Sequence, residues 1–168
     1  GYRGSDLSHV AMITEITDDG ALVFEAIGGK VKMTSLEDFL QRSFDQNGDP
    51  KVIVGRLRDR NISIQAIEEV RKYAGKSYDD VFDIQNDEYY CSELLYFSYL
   101  DGGKPIFKLF PMTFKDPETN DFDPAWIAYY DRFGTPVPEG EPGLNPGGIS
   151  RSPHLEIIYK FGDPDGYK

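Results

Sequence analysis

A single cysteine among 168 residues excludes any disulfide within the chain, so cysteine usage says nothing about the redox compartment. Histidine is nearly as scarce, with two. Neither His-x-x-x-His nor Cys-x-x-Cys occurs, so no short-spaced pair of metal ligands is present and no cofactor is expected. No run approaches the roughly 20 apolar residues that a membrane-crossing helix needs. The opening Gly1-Tyr2-Arg3-Gly4-Ser5-Asp6 lacks the apolar core of a signal peptide. Positive charge is in deficit: 18 Lys and Arg against 29 Asp and Glu give a net charge of -11. Nucleic acid and anionic membranes are therefore disfavoured partners, because both would repel this surface. The charge forms no long single-sign block and reads mainly as a solvated surface.

What is present is enough for a core. Hydrophobic residues make up 39% and aromatic residues 14%, which argues against wholesale disorder in a chain of single-domain length. Val10 to Ile16 and Ala21 to Ala26 are short apolar runs across Thr17-Asp18-Asp19-Gly20, a hairpin pattern. Gly28-Gly29 makes a second turn, and Val31 to Met33 extends the meander. Ser35 with Asp38 three residues on predicts the start of a short helix. Asn47-Gly48-Asp49-Pro50 breaks the chain ahead of a strand over Lys51 to Leu57. Ile64, Ile67, Val70 and Ala74 recur at helical spacing, with Ser63 as the expected N-cap and Gly75 at the C-terminus. A polar loop from Lys76 to Glu88 leads into a second helix beginning at Cys91. Residues 104–153 hold most of the prolines and are expected to be a mostly irregular tail wrapped on the core, anchored by Trp126, Tyr129, Tyr130 and Phe133. Leu155 to Phe161 reads as a last strand. One domain over 1–168 is expected.

Cys91 stands where the polar loop meets the apolar helix. A thiolate is the reactive form of cysteine, and a helix N-terminus stabilises negative charge. The plain alternative is a buried structural cysteine, since free cysteines are among the most buried residues. A nucleophile needs a base, and His9, at the opening of the first hairpin strand, can aim its ring at a helix packed on the sheet. Glu25 lies on the paired strand and can hydrogen-bond the second ring nitrogen, the orienting role in a triad. A surface histidine and a solvated glutamate remain the plain reading of that pair. His154 is the rival base, but little chain follows it to carry an orienting group.

His9-Val10-Ala11-Met12-Ile13, Phe24-Glu25-Ala26, Gly75-Lys76-Ser77-Tyr78-Asp79 and Tyr89-Tyr90-Cys91-Ser92-Glu93-Leu94-Leu95 together resemble the YiiX/YebB-like hydrolases. These are circularly permuted relatives of the NlpC-type peptidases. The resemblance covers roughly residues 8 to 100, and Cys-Ser-Glu with the upstream Tyr-Asp is its most specific part. It implies an α+β, circularly permuted papain-like NlpC-type fold, with an antiparallel sheet packed against helices and the nucleophile at a helix N-terminus. The order His9, Glu25, Cys91 is that of the permuted group. Carried over residue by residue, Cys91 is the nucleophile, His9 the base, Glu25 the third member and Tyr78 a hydroxyl near the oxyanion. Glu93 reads as a cap of its own helix, and Tyr89 and Tyr90 as packing. Relatives usually carry a longer segment ahead of the histidine strand, a departure that bears on one wall of the substrate cleft.

The activity so implied is hydrolysis of an amide through an acyl-enzyme, on peptides of the cell wall, in the bacterial envelope or outside the cell. Related permuted enzymes act on acyl lipids, so a lipid amidase or acyltransferase is the rival enzyme. A non-catalytic binding module is the second class, disfavoured because all three residues are present. A metal site built from His9, Glu25 and Cys91 is the third, disfavoured by the ligand spacing.

Overall fold

In the computed structural model, which describes residues 7–45 and 47–164, the chain starts with a meander whose turns the sequence dictates. Strands β1 (Met12–Thr17), β2 (Gly20–Ile27) and β3 (Lys30–Ser35) form an antiparallel sheet in the order β1-β2-β3. Gly28 and Gly29 both take positive φ, 61° and 87°, as a two-residue hairpin loop demands. Val23, Phe24, Glu25 and Ala26 are buried in succession, so the central strand is covered on both faces. That places a carboxylate, Glu25, in the interior.

Helix α1 (Leu36–Gln41) begins as expected, with the Ser35 hydroxyl accepting from the Asp38 amide at 3.0 Å. Strand β4 (Val52–Leu57) follows and pairs antiparallel with β9 (Leu155–Phe161) in a separate two-stranded ribbon. Helix α2 spans Arg60–Val70 and starts earlier than its periodicity predicts. Its N-cap is Asp59, whose carboxylate accepts from the Asn61 and Ile62 amides, while Ser63 lies inside the first turn and donates back to the Asp59 carbonyl. Ile62, Ala66 and Val70 form its buried stripe. Gly75 takes φ of 82° beyond a 3-10 turn over Arg71–Tyr73, the left-handed residue the helix end requires.

Helix α3 (Cys91–Ser98) packs beneath the sheet. Its Leu94 joins Met12, Phe24, Ala26, Val31, Ala66 and Val70 in one core, and Leu95 joins Tyr90, Phe107, Leu144 and Ile149 in a second. The segment after it is mostly irregular, with short paired strands β5 (Leu100–Asp101) with β6 (Lys104–Pro105) and β7 (Phe110–Pro111) with β8 (Pro142–Gly143). It also contains two short helices, α4 (Pro124–Asp131) and α5 (Pro146–Ser150). Asp123 caps α4 and Pro124 occupies its first turn, where a missing N–H costs nothing. The Tyr129 hydroxyl donates to the Asp80 carbonyl at 2.8 Å and the Tyr130 hydroxyl to the Val81 carbonyl at 3.2 Å. These two bonds tie α4 to the loop that precedes Cys91.

Candidate active site

Cys91 is the first residue of α3 and is buried. The Glu93 carboxylate accepts from the Tyr90 amide at 3.2 Å, so Glu93 caps its own helix as the sequence suggests. Tyr89 and Tyr90 are packing residues: each is buried, one in each core, and the Tyr90 hydroxyl accepts from the Leu144 amide.

His9 stands three residues ahead of β1 rather than within it, because the ladder with β2 begins only at Met12 and Phe24. Outside the ladder, the chain turns the imidazole toward Glu25, with Nε2 2.7 Å from a carboxylate oxygen. Phe39 of α1 packs against the ring at 5.7 Å between centroids. With Nε2 committed to Glu25, Nδ1 is the nitrogen left to exchange a proton with sulfur. His9 is hydrogen-bonded to Glu25, and Cys91 lies near enough to perturb the imidazole.

Burial by itself lowers the pKa of His9. Hydrogen-bonding and electrostatic interaction with Cys91 and Glu25 outweigh burial and raise it to about 9. Glu25 is fully buried, and burial alone would raise its pKa. Hydrogen bonds from His9, Thr34 and Arg42 reverse that and hold the carboxyl at about 2. The Thr34 hydroxyl and the Arg42 guanidinium both donate to the oxygen that His9 does not use. Both oxygens of the carboxylate are therefore hydrogen-bonded.

Thr34 and Arg42 are the site residues that motif reading missed. Thr34 had a faint signal: Glu25 pairs with Lys32 across β2 and β3, which puts Thr34 two residues along the neighbouring strand on the same face. Arg42 follows the end of α1, and nothing in its local sequence points to Glu25.

Tyr78 is half-buried on the loop between α2 and α3, its amide bonded to the Gly29 carbonyl at 3.0 Å. Burial, then the charge of Cys91, push its hydroxyl well above the usual tyrosine range, so it stays protonated within reach of the sulfur's field. The structure thus brings His9, Glu25, Tyr78 and Cys91 together. His154 lies elsewhere, exposed ahead of β9, with its carbonyl accepting from the Arg58 amide.

A family model of permuted papain-like amidase enzymes, YaeF/YiiX, matches residues 3–159. The chain belongs to this family. The uncharacterized protein YiiX of Escherichia coli K12 is 25% identical over 166 residues, spanning 93% of this chain and 75% of YiiX. A crystal structure of YiiX from Escherichia coli O157:H7 superimposes with a TM-score of 0.70 at 25% identity, covering 92% of this chain and 83% of that one. The family accounts for the mixture of helices with antiparallel strands and makes the chain an amidase-type enzyme by descent.

That crystal structure is described as one of a metalloprotein. In this chain the His9, Glu25 and Cys91 side chains do not fit a resident metal. Both Glu25 oxygens are spent on His9, Thr34 and Arg42, and the Arg42 cation lies where a metal's charge would be repelled. Sulfur and one imidazole nitrogen would remain, one ligand short of a three-ligand catalytic site. Among the described residues, no cluster of three or more His, Cys, Asp or Glu side chains is arranged to hold a metal ion.

Proposed function

We propose that the protein hydrolyses an amide bond through an acyl-enzyme on Cys91, with His9 as base, Glu25 as orienter and Tyr78 as an oxyanion donor. The observation that carries this reading is His9 held by a Glu25 carboxylate whose two oxygens are both bonded, with Cys91 near enough to perturb the imidazole. His9 takes the proton of the Cys91 thiol, and sulfur attacks the carbonyl carbon. The oxyanion meets the Cys91 backbone N–H at the start of α3 and the protonated Tyr78 hydroxyl. His9 then protonates the departing amine. It next takes a proton from water, which attacks the thioester and releases the acid and the free thiol. Glu25 stays ionised throughout and stabilises the imidazolium.

Family resemblance favours peptide amides of the cell wall as substrate. Such a substrate would place the working protein in the bacterial envelope or outside the cell, which fractionation of producing cells tests. A second reading, an amidase or acyltransferase for acyl lipids, is favoured by a cavity of about 820 Å³ beside His9. It lies between the three-stranded sheet and the β4–β9 ribbon, and Val10, Phe39, Val54, Leu57 and Ile157 are among its apolar walls. A volume of that size suits a small-molecule or acyl ligand. Hydrolysis rates on a muropeptide and on an N-acyl amine of increasing chain length separate the two.

The test of the chemistry is modification of Cys91. Alkylation by iodoacetamide near neutral pH is expected to run well above the rate of free cysteine, and an activated acyl ester to label the same sulfur. Cys91→Ser abolishes both, His9→Ala removes acylation, and His154→Ala leaves it unchanged. Labelling that survives His9→Ala and dies with His154→Ala overturns the base. A Cys91 that reacts only on unfolding overturns the enzyme and leaves a non-catalytic binding module.

A further inference from the structure

His154 has no part in this mechanism, and neither has the cavity beside it. That cavity, of about 300 Å³, lies between the connection from β6 to β7 and the turn that leads from α5 into β9. Phe107, Leu144 and Ile149 are buried in its walls, and the Phe110 ring adds to them. Lys108, Arg151 and His154 stand exposed at its rim, with Ser152 between the last two. The volume is at the small end of the range for ligand sites and suits one ring or a short chain.

The charge around this opening is opposite to that of the chain. Acidic residues outnumber basic ones 29 to 18 in the sequence. Among the described residues, however, no aspartate or glutamate lines the cavity. Lysine and arginine bring full positive charges to the rim, and histidine adds a ring N–H in either tautomer. An anion is attracted there and repelled by the acidic remainder of the surface. A cationic rim over an apolar floor is complementary to a molecule divided in the same way.

The backbone holds this rim in place. The Ser152 hydroxyl accepts from the His154 amide at 3.3 Å, and the His154 carbonyl from the Arg58 amide at 2.9 Å. Arg58 Nε also donates to the Pro153 carbonyl at 3.3 Å, so the turn is fastened to the end of the β4–β9 ladder. On the opposite side, Gly148 lets the Phe110 ring lie against α5. A Cβ at that position would come within 2.9 Å of the ring. Asn145 caps α5 through the Gly148 amide at 2.8 Å. A cavity framed by such contacts needs little ordering when a ligand enters.

Phe107 and Ile149 also line the larger cavity beside His9, so the two spaces share a wall. Cys91, His9, Glu25 and Tyr78 do not border the smaller one. We propose that the smaller cavity binds a small organic anion, a carboxylate or phosphate monoester with an aromatic or short aliphatic body. Its head group takes donors from Lys108, Arg151 and His154, and its body lies on Phe107, Phe110 and Ile149. The site does not rest on the acyl-enzyme reading and stands whether or not Cys91 turns over.

Calorimetric titration of the whole chain with four probes tests this: phenyl phosphate, phenylacetate, benzyl alcohol and inorganic phosphate. At least one of the two aromatic anions is expected to bind about tenfold tighter than either benzyl alcohol or inorganic phosphate, because only it uses both rim and floor. Which of the two binds tighter identifies the head group as phosphate or carboxylate. Lys108→Ala and Arg151→Ala are each expected to weaken binding about fivefold, the scale of one solvated charge contact. Binding also weakens as salt rises, since the rim is exposed.

The place of binding is read from backbone amide shifts. Those of Gly148, Arg151, Ser152 and His154 are expected to move with phenyl phosphate, and the affinity to stay within about twofold once iodoacetamide has capped Cys91 or in Cys91→Ser. Benzyl alcohol binding as tightly as the anions overturns the proposal, as does unchanged affinity in the double variant Lys108→Ala/Arg151→Ala. So does a ligand that capping of Cys91 displaces, because it occupies the active site instead. Absence of any binding by the four probes overturns it as well, and leaves the acyl-enzyme reading untouched.

Discussion

Two glutamates flank Cys91, one reaching it through His9 and the other along α3, and both are fully buried. Their carboxyls nevertheless lie at opposite ends of the scale, Glu25 at about 2 and Glu93 at about 9. Burial pushes both upward. The difference lies in what meets the oxygens. Glu25 receives three donors, two of them able to carry positive charge, and stays an anion. Glu93 receives one backbone amide and faces other acids. The sheet side of the site thus keeps a charge beside His9, and the helix side keeps its carboxyl protonated.

The largest break in this contrast comes from Glu25→Gln. It keeps the shape and removes the charge, so the imidazolium loses its counter-ion and acylation falls by about a thousandfold or more. The variant also changes how stability depends on pH. The Glu25 carboxyl is lower in the folded chain than in the unfolded one, so its stabilisation is present above pH 4.5 and is lost as pH falls through about 2. His9 is raised, so its stabilisation is complete below pH 6.5 and is lost as pH climbs through about 9. Urea unfolding of Glu25→Gln is expected to show both windows flattened. Unchanged slopes in both would mean that the ion pair does not form in solution.

Glu93→Gln is the mirror experiment. Its carboxyl is raised on folding, so its contribution is greatest below pH 4.5 and declines as pH rises through about 9. Replacing it removes that decline. Thermal melts are expected to show the variant gaining on the order of 2 kcal/mol relative to wild type between pH 5 and pH 8. Acylation stays near the wild-type rate. A loss of stability at pH 8 instead would show that Glu93 is ionised in the folded protein.

The same contrast explains what the sequence revealed. The places of Cys91 at a helix start, His9 just ahead of the meander and Glu25 on the paired strand could be read from local signals, whereas Tyr78 entered only through the family resemblance. The meander, the Gly75 stop and the last strand were legible for local reasons: turn glycines and periodicity act within a few residues. The N-cap of α2 was misread because Ser63 and Asp59 are both good caps, and only the chain's entry angle selects Asp59. Arg42 was invisible because its partner lies 17 residues away across a helix and a strand. Helix α4 was reduced to a set of anchors because prolines and aromatics obscure its eight residues, although Asp123-Pro124 marks its start. The charge state of Glu93 was illegible because the burial and neighbouring acids that set it come only with the fold.

The finest test of the contrast concerns the two donors on the outer oxygen of Glu25. Arg42 is 40% exposed, so water screens its attraction, and its removal is expected to cost only about 1 kcal/mol. Thr34→Val keeps the shape, deletes one hydrogen bond, and costs a similar amount, about 1 kcal/mol. Either change leaves Glu25 fewer donors against the same burial, so its pKa must rise from about 2 toward its ordinary range. His9 loses its counter-ion once Glu25 is protonated, so the acid limb of Cys91 alkylation follows that carboxyl. In both variants the limb is expected to move toward neutral pH by about one unit, while the rate at pH 7 changes less than threefold. The double variant should move it further, because the two donors share one oxygen and neither can replace the other. An acid limb that stays in place in the double variant would mean that His9 alone keeps Glu25 charged, and that the difference between the two glutamates rests on a single imidazole.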